Sequence, residues 1–253
     1  VLSKTDDSTI VTVEPITATV ANTSAVVKLM PHMVLGTDVR VFDIEKVLES
    51  NSGTYYANFR NQQVGAGQFT ISPEDFVQAQ FTTLGNAAPT YGVASEADSV
   101  TDVTIQPLMA TTDLMELNLY EYNAAGGQGA LVPVTWSNLT MNLDNGLREQ
   151  KAPGSTFAAG IARNRFSATL NGSIYFVNYD EEAGHLAEKQ YAVVIGMRDA
   201  NGNGYIFEFN ACKIQSVQSN AASVDADVDK PFNLQAFKHP VDSTVKVHKV
   251  PVE

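Results

Sequence analysis

Cysteine is nearly absent from this sequence, with Cys212 standing alone. One thiol excludes an intrachain disulfide and a thiolate metal cluster. Cys212 lies in an apolar, strand-like run, which suits a buried filler better than a nucleophile. Long hydrophobic runs are also missing. No window approaches the roughly 18 uninterrupted apolar residues of a membrane helix. Charge is thin: 17 % of residues are Asp, Glu, Lys or Arg, against about a quarter in typical globular domains. Surface polarity must come from Ser, Thr, Asn and Gln, as in an all-β protein or an assembly subunit. Positive charge is scarcest. There are 16 Lys and Arg against 28 Asp and Glu, a net charge of −12. From Asn61 to Leu147 there is no Lys or Arg at all, while nine acids lie there: Glu74, Asp75, Glu96, Asp98, Asp102, Asp113, Glu116, Glu121 and Asp144. Nucleic-acid binding through a basic patch is disfavoured. The plain reading of that stretch is a solvated acidic surface. The functional reading is a surface that repels a polyanion or holds cations.

Catalytic signatures are missing too. There is no Walker loop, no G-x-S-x-G and no HExxH. The histidines, His32, His185, His239 and His248, have no metal-ligand spacing and are expected at the surface. Gly65-Ala66-Gly67 lacks the third glycine and the strand–helix setting of a dinucleotide loop. Asp199-x-Asn201-x-Asn203-Gly204 matches the front of a calcium loop. Its twelfth position is Asn210 instead of Glu, and strands flank it, so a hairpin turn is expected. The one Trp, Trp136, falls in a core-like pattern rather than on a sugar-binding platform. These features point to a protein that is not an enzyme and needs no cofactor or metal. Residues Val1 to Asp7 lack the apolar core of a signal peptide. They read as a chain that lost only its initiator Met and folded in a cytoplasm.

What is present is strand signal. Residues 8–20 are β-branched throughout, with Pro15 as a bend or edge marker. Residues 37–48 alternate and then turn to helix spacing at Ile44, Val47 and Leu48. Ser72-Pro73-Glu74-Asp75 has the cap, proline and acids of a helix start, predicting a helix over 72–84. Residues 85–103 read as a long polar loop, and 148–160 as another. A strand over 131–143 changes phase at Ser137-Asn138, which predicts a bulge. Asp144-Asn145-Gly146 then turns.

The clearest strand covers 164–178. Phe166, Ala168, Leu170, Gly172, Ile174 and Phe176 take one face; Ser167, Thr169, Asn171 and Ser173 take the other. A short acidic helix is expected over 179–190 and a hairpin around 199–204. The chain should close with a strand over 244–250. The fold class is therefore mainly β, with one or two short helices and long loops.

The order of features from Leu131 to Glu253 resembles the tail tube, or major tail, proteins of long-tailed bacteriophages. The features are Trp136 to Asn142 leading into Leu143-Asp144-Asn145-Gly146-Leu147; the loop Lys151 to Ser155; and Ile161 to Arg165 entering the strand Phe166 to Phe176. The acidic Asp180-Glu181-Glu182, the hairpin at Asn201 to Gly204, the strand Ala236 to Asp242 and the basic Thr244 to Val250 complete the set. The family's usual Gly-Arg entry to the long strand is here Arg163-Asn164-Arg165. The first 130 residues carry no matching motif. They are either insertions in one tail-tube domain spanning 1–253 or a divergent part before a core at 131–253.

The resemblance implies a β-sandwich or barrel whose sheets join across subunits into rings. Those rings would hold six subunits, or three where the domain is duplicated. Stacked rings would form a virion tail channel that delivers DNA. Partners would be other copies, the tail terminator, and the tail tip or baseplate. The tape measure protein and DNA would pass through without specific binding. The polar strand Ser167, Thr169, Asn171 and Ser173 becomes the candidate channel lining, with some of the acids beside it. Gly85, Asn86, Pro89, Tyr91, Pro153 and Gly154 become candidates for loops that reach the next ring. The alternative is a β-rich virion decoration, adhesin or baseplate module, which needs no ring.

Overall fold

The computed structural model describes residues 3–4, 10–11, 32–36, 38–97, 99, 107–219 and 228–250. Most of the strand expected over 8–20, and Asp98 and Asp102 of the acidic stretch, lie outside the described residues. Two short strands, β1 (Ser3–Lys4) and β2 (Ile10–Val11), pair with each other. Then follow β3 (His32–Val34), β4 (Phe42–Ser50), β5 (Gly53–Ile71), β6 (Gln78–Gly85), β7 (Thr90–Gly92), β8 (Leu114–Tyr122) and β9 (Gln128–Val132). The second half holds β10 (Trp136–Asp144), β11 (Leu147–Gln150), β12 (Gly160–Arg163), β13 (Ser167–Tyr175), helix α1 (Asp180–Leu186), β14 (Gln190–Arg198), β15 (Gly204–Val217), β16 (Asp229–Ala236) and β17 (Lys246–Val250).

Thirteen strands form one antiparallel sheet whose main path runs β4-β5-β10-β13-β16-β15-β14-β8-β9. Strands β6 and β7 pair with the other edge of β5, and β17 bridges β15 to β3. Strand β15 is long enough to serve two neighbourhoods. Its first residues, Gly204–Glu208, pair with β14 and β17; its last, Cys212–Val217, pair with β16. The chain thus folds back on itself around an apolar interior. Leu139 and Met141 of β10, Leu170 and Ile174 of β13, and Phe232 and Leu234 of β16 meet Leu119, Val193, Ile195 and Phe209, all within 1 % of full burial. Truncating any one of the larger of these to Ala costs about 2–5 kcal/mol.

Several expectations hold. The β10 register shifts between Trp136 and Asn138, so the bulge sits where the phase changes. Gly146 has φ +59°, and its N–H donates to Asp144 Oδ1 at 2.7 Å, closing the turn. Asp199 Oδ1 accepts from the N–H groups of Asn201 and Asn203 at 2.9 and 2.8 Å, so that segment is a hairpin turn. Cys212 is fully buried.

Others need correction. Residues 72–84 are not a helix: Ser72 to Phe76 form a turn with Glu74 at φ +61°, and the rest is mostly β6. Pairing with Gln62–Thr70 of β5 overrides the local helix-start signals. Likewise Phe42–Ser50 stays extended as β4, held by β5. Among the described residues α1 is the sole α-helix. His239 is not at the surface. It is fully buried, with Nε2 3.0 Å from the Asn123 carbonyl.

Candidate functional site

The outward face of the β5–β10–β13–β16 region is built by strand alternation. Because the core takes Leu139, Met141, Ala168 and Leu170, their neighbours must point the other way. Register then sets the rows. Gln78, Thr70, Thr140, Asn171 and Asn233 stand side by side across β6, β5, β10, β13 and β16. Beside them run Gln80, Gln68, Asn142, Thr169 and Gln235. Ser167 lies opposite Asp144, and Ser173 opposite Asn138. The predicted set Ser167, Thr169, Asn171 and Ser173 therefore shares one exposed or half-exposed face.

That face is a bed of amides and hydroxyls that bond one another. Gln68 Nε2 donates to Asn142 Oδ1 at 2.8 Å, and Asn233 Nδ2 to Ser216 Oγ at 2.8 Å. Charge is confined to its margins. Asp144 sits at one end, and Lys213, opposite Gln235, is bound to Glu188 at 3.1 Å. Of the described acids in the 61–147 stretch, Asp144 is the one on this face. Glu116 instead accepts from the Tyr120 hydroxyl on β8, and Asp113 caps a turn through the Met109 N–H.

A second feature is an extended arm. Strand β5 runs for 19 residues, about 60 Å at ~3.3 Å per residue. Its first half pairs with β4 and β7 rather than with the main body. Nearly all of β4 is exposed, including Val47 and Leu48. A bulge at the arm's base puts Asn61 at φ +55°, where its N–H donates to Asp43 Oδ1 at 2.8 Å. The segment after β7 returns to the arm. Ser95 Oγ and the Glu96 N–H both donate to Glu45, at 2.7 and 2.8 Å. Arg60 pairs with Glu96, and that hydrogen bond holds the Glu96 carboxyl below its ordinary pKa despite the opposing effect of desolvation.

The loop candidates fall on two elements. Gly85 ends β6, while Asn86 and Pro89 are half-buried between β6 and β7. Tyr91 is central to β7 and 76 % exposed. Pro153 and Gly154 are exposed in the turn between β11 and β12. These two strands make their own small sheet, so the 148–160 loop is a hairpin.

A strongly charged interior site was not foreseen. Lys230 on β16 has no solvent exposure. Its ammonium donates to Glu181 at 2.7 Å, Glu182 at 2.8 Å and the Asn178 carbonyl, and lies 4.8 Å from the Phe176 ring centre. Burial works against its charge, but the two carboxylates outweigh burial and hold its pKa above the ordinary value. The triad fixes α1 to the sheet. His185 Nδ1, 2.9 Å from the Ile214 carbonyl, adds a second tether. Nothing in Asp229-Lys230-Pro231 marks the lysine as buried.

No group of three or more His, Cys, Asp or Glu suited to a metal occurs among the described residues. Among curated proteins nothing matches the chain. A family model described as phage tail tube protein matches residues 6–236. The chain belongs to the phage tail tube protein family, the structural, non-catalytic proteins that assemble with other components into the virion tail.

Proposed function

We propose that this chain forms rings, of six subunits in preference to three, that stack into a tube with the β13 polar face turned toward the channel. The carrying observation is that face: five strands wide, lined by amides and hydroxyls, and with no unpaired cation among its described residues. DNA adheres to proteins largely through Lys and Arg contacts to phosphate. Amides and hydroxyls satisfied by each other and by water give passing phosphates no fixed counter-charge, and Asp144 at the margin repels them.

Ring closure follows from strand edges. The sheet path ends at β4 and β9, and unpaired edges invite aggregation unless another copy covers them. Joining sheets side by side would remove those edges. The arm with Tyr91 and the turn at Pro153-Gly154 then serve contacts between successive rings, together with Gly85, Asn86 and Pro89 at the arm's side. The chain is read as one tail-tube domain with insertions in its first half. Pairing of β5 with β10 and of β8 with β14 supports that reading over a separate 1–130 part. The tail terminator and the tip or baseplate would cap the tube, and the tape measure protein and DNA would occupy its channel.

Negative-stain electron microscopy of the purified protein, across concentration and time and with a tail-tip seed, tests this. Stacked rings with an open centre and six-fold averages are expected. A strict monomer even on the seed would overturn it.

A further inference from the structure

The arm built from β4, the first half of β5 and β7 has little apolar burial to hold it together. Strand β4 is exposed at all but one position, and β7 is only three residues long. A ribbon of two strands is marginal in water unless something else supports it. One face of this arm carries a polar row. Register places Glu45, Asn58 and Thr90 side by side across β4, β5 and β7. Strand alternation puts Leu48, Tyr55, Ala57 and Tyr91 on the opposite face.

After β7 the chain turns back over the polar row. Residues 93–97 are all exposed, yet they are tied down from both sides. The Glu45 carboxylate accepts from Ser95 Oγ and the Glu96 N–H, at 2.7 and 2.8 Å. The Glu96 carboxylate accepts in turn from Arg60 on β5, from Thr90 Oγ1 on β7 at 3.3 Å, and from the Asn58 side chain. Two carboxylates offered from opposite sides thus join the returning segment to all three strands. Arg60 and Glu96 are each about half exposed, so solvent screens their pairing and no single contact suffices. The contacts hold the segment by acting together.

We propose that residues 93–97 form a clasp, closed by Glu45 and Glu96, that keeps the arm ordered in the free subunit and holds Tyr91 outward for the contact between rings. The proposal rests on the reading of the arm as that contact. An arm ordered beforehand loses less conformational freedom when it docks. The clasp therefore favours assembly although none of its own groups need touch the neighbouring copy.

The test is hydrogen exchange read by mass spectrometry on unassembled, full-length protein. In wild type the Glu96 amide should be protected although its residue is exposed. Removing both carboxylates, Glu45→Ala with Glu96→Ala, should speed exchange of the β4 and β7 amides about tenfold or more. Exchange in β13 and β16 should stay as in wild type, which checks that the body of the subunit is folded. Lys46→Ala, on the opposite face of β4, is the control and should leave the arm protected. The double variant should also need several times more protein than wild type to grow tubes on a tail-tip seed. Arm exchange within about twofold of wild type, an equal rise in Lys46→Ala, or a wild-type Glu96 amide as fast as free backbone would overturn the clasp and leave the tube reading standing. A loosened arm with tubes growing at the wild-type concentration would overturn its part in assembly. Wild-type protein that never assembles on the seed removes the tube reading and the assembly role with it, and exchange alone then upholds or overturns the clasp.

Discussion

Replacing Lys230 with methionine should be among the most damaging single changes in this protein. Methionine keeps most of the side-chain volume and removes the charge. Glu181, 8 % exposed at its side chain, and Glu182, 23 % exposed, would then face each other without a cation. The Asn178 carbonyl would lose its donor as well. Removing one partner of a buried ion pair costs about 3–5 kcal/mol. For a chain of this size each kcal/mol moves the midpoint by about 2–4 °C, so melting should fall by roughly 6–20 °C. Removing all three charges is different. A variant with Lys230→Met, Glu181→Leu and Glu182→Gln should regain most of the loss, because no ion is left desolvated. Urea titration of unassembled protein reads this through Trp136, whose ring lies 5.6 Å from Phe232 on the same strand as Lys230. A loss below about 1 kcal/mol for Lys230→Met, or a triple variant no more stable than the single one, would refute the reasoning.

The triad also sets a pH window. Burial opposes the Glu182 charge, but Lys230 and Ser219 hold its pKa below the ordinary value. Its contribution is complete above the unfolded carboxyl value of about 4.3 and is lost as pH falls through the lower folded one. Lys230, raised on folding, contributes fully below about 10.4 and loses that contribution as pH climbs through its folded value. The urea midpoint should therefore lose this contribution at both ends of the scale in wild type and not in the uncharged triple variant. Asp242 accepts from Asn210, Lys246 and the Ser243 N–H at 2.9, 2.7 and 2.8 Å, so Asp242→Ala should cost about 1–3 kcal/mol by the same titration. Gly172 faces the bulge in β10, and a Cβ there would overlap the Asn138 carbonyl. Gly172→Ala should destabilise by roughly 1–3 kcal/mol, and an unchanged urea midpoint would show that the bulge can yield. Burial pushes the Cys212 thiol far above its usual pKa. Ellman's reagent should leave the folded protein unlabelled and titrate one thiol in denaturant.

Period-two patterns with a clean polar face were legible in the sequence. Strand β13 alternates apolar and hydroxyl or amide residues, and its buried and exposed positions follow that alternation. The bulge at Ser137-Asn138 and the hairpin at Asp199 to Gly204 were equally plain, because local chemistry decides them. Where distant pairing decides, local signals misled. Ser72-Pro73-Glu74-Asp75 has every mark of a helix start, yet β5 captures the following residues as β6. His239 is buried by a contact 116 residues away in sequence. The partners of Lys230 lie 48 and 49 residues before it, so the triad has no local signature. The polar face was half legible. Strand β13 announced its own residues, but Gln68, Asn142 and Gln235 join them only through register.

A cryo-electron reconstruction of the assembled tube tests the central assignment most directly. The expected map has Ser167, Thr169, Asn171 and Ser173 facing an open channel, with Asn142 and Gln235 beside them. Packing of that face against a neighbouring subunit, or its exposure on the tube's outer wall, would contradict it.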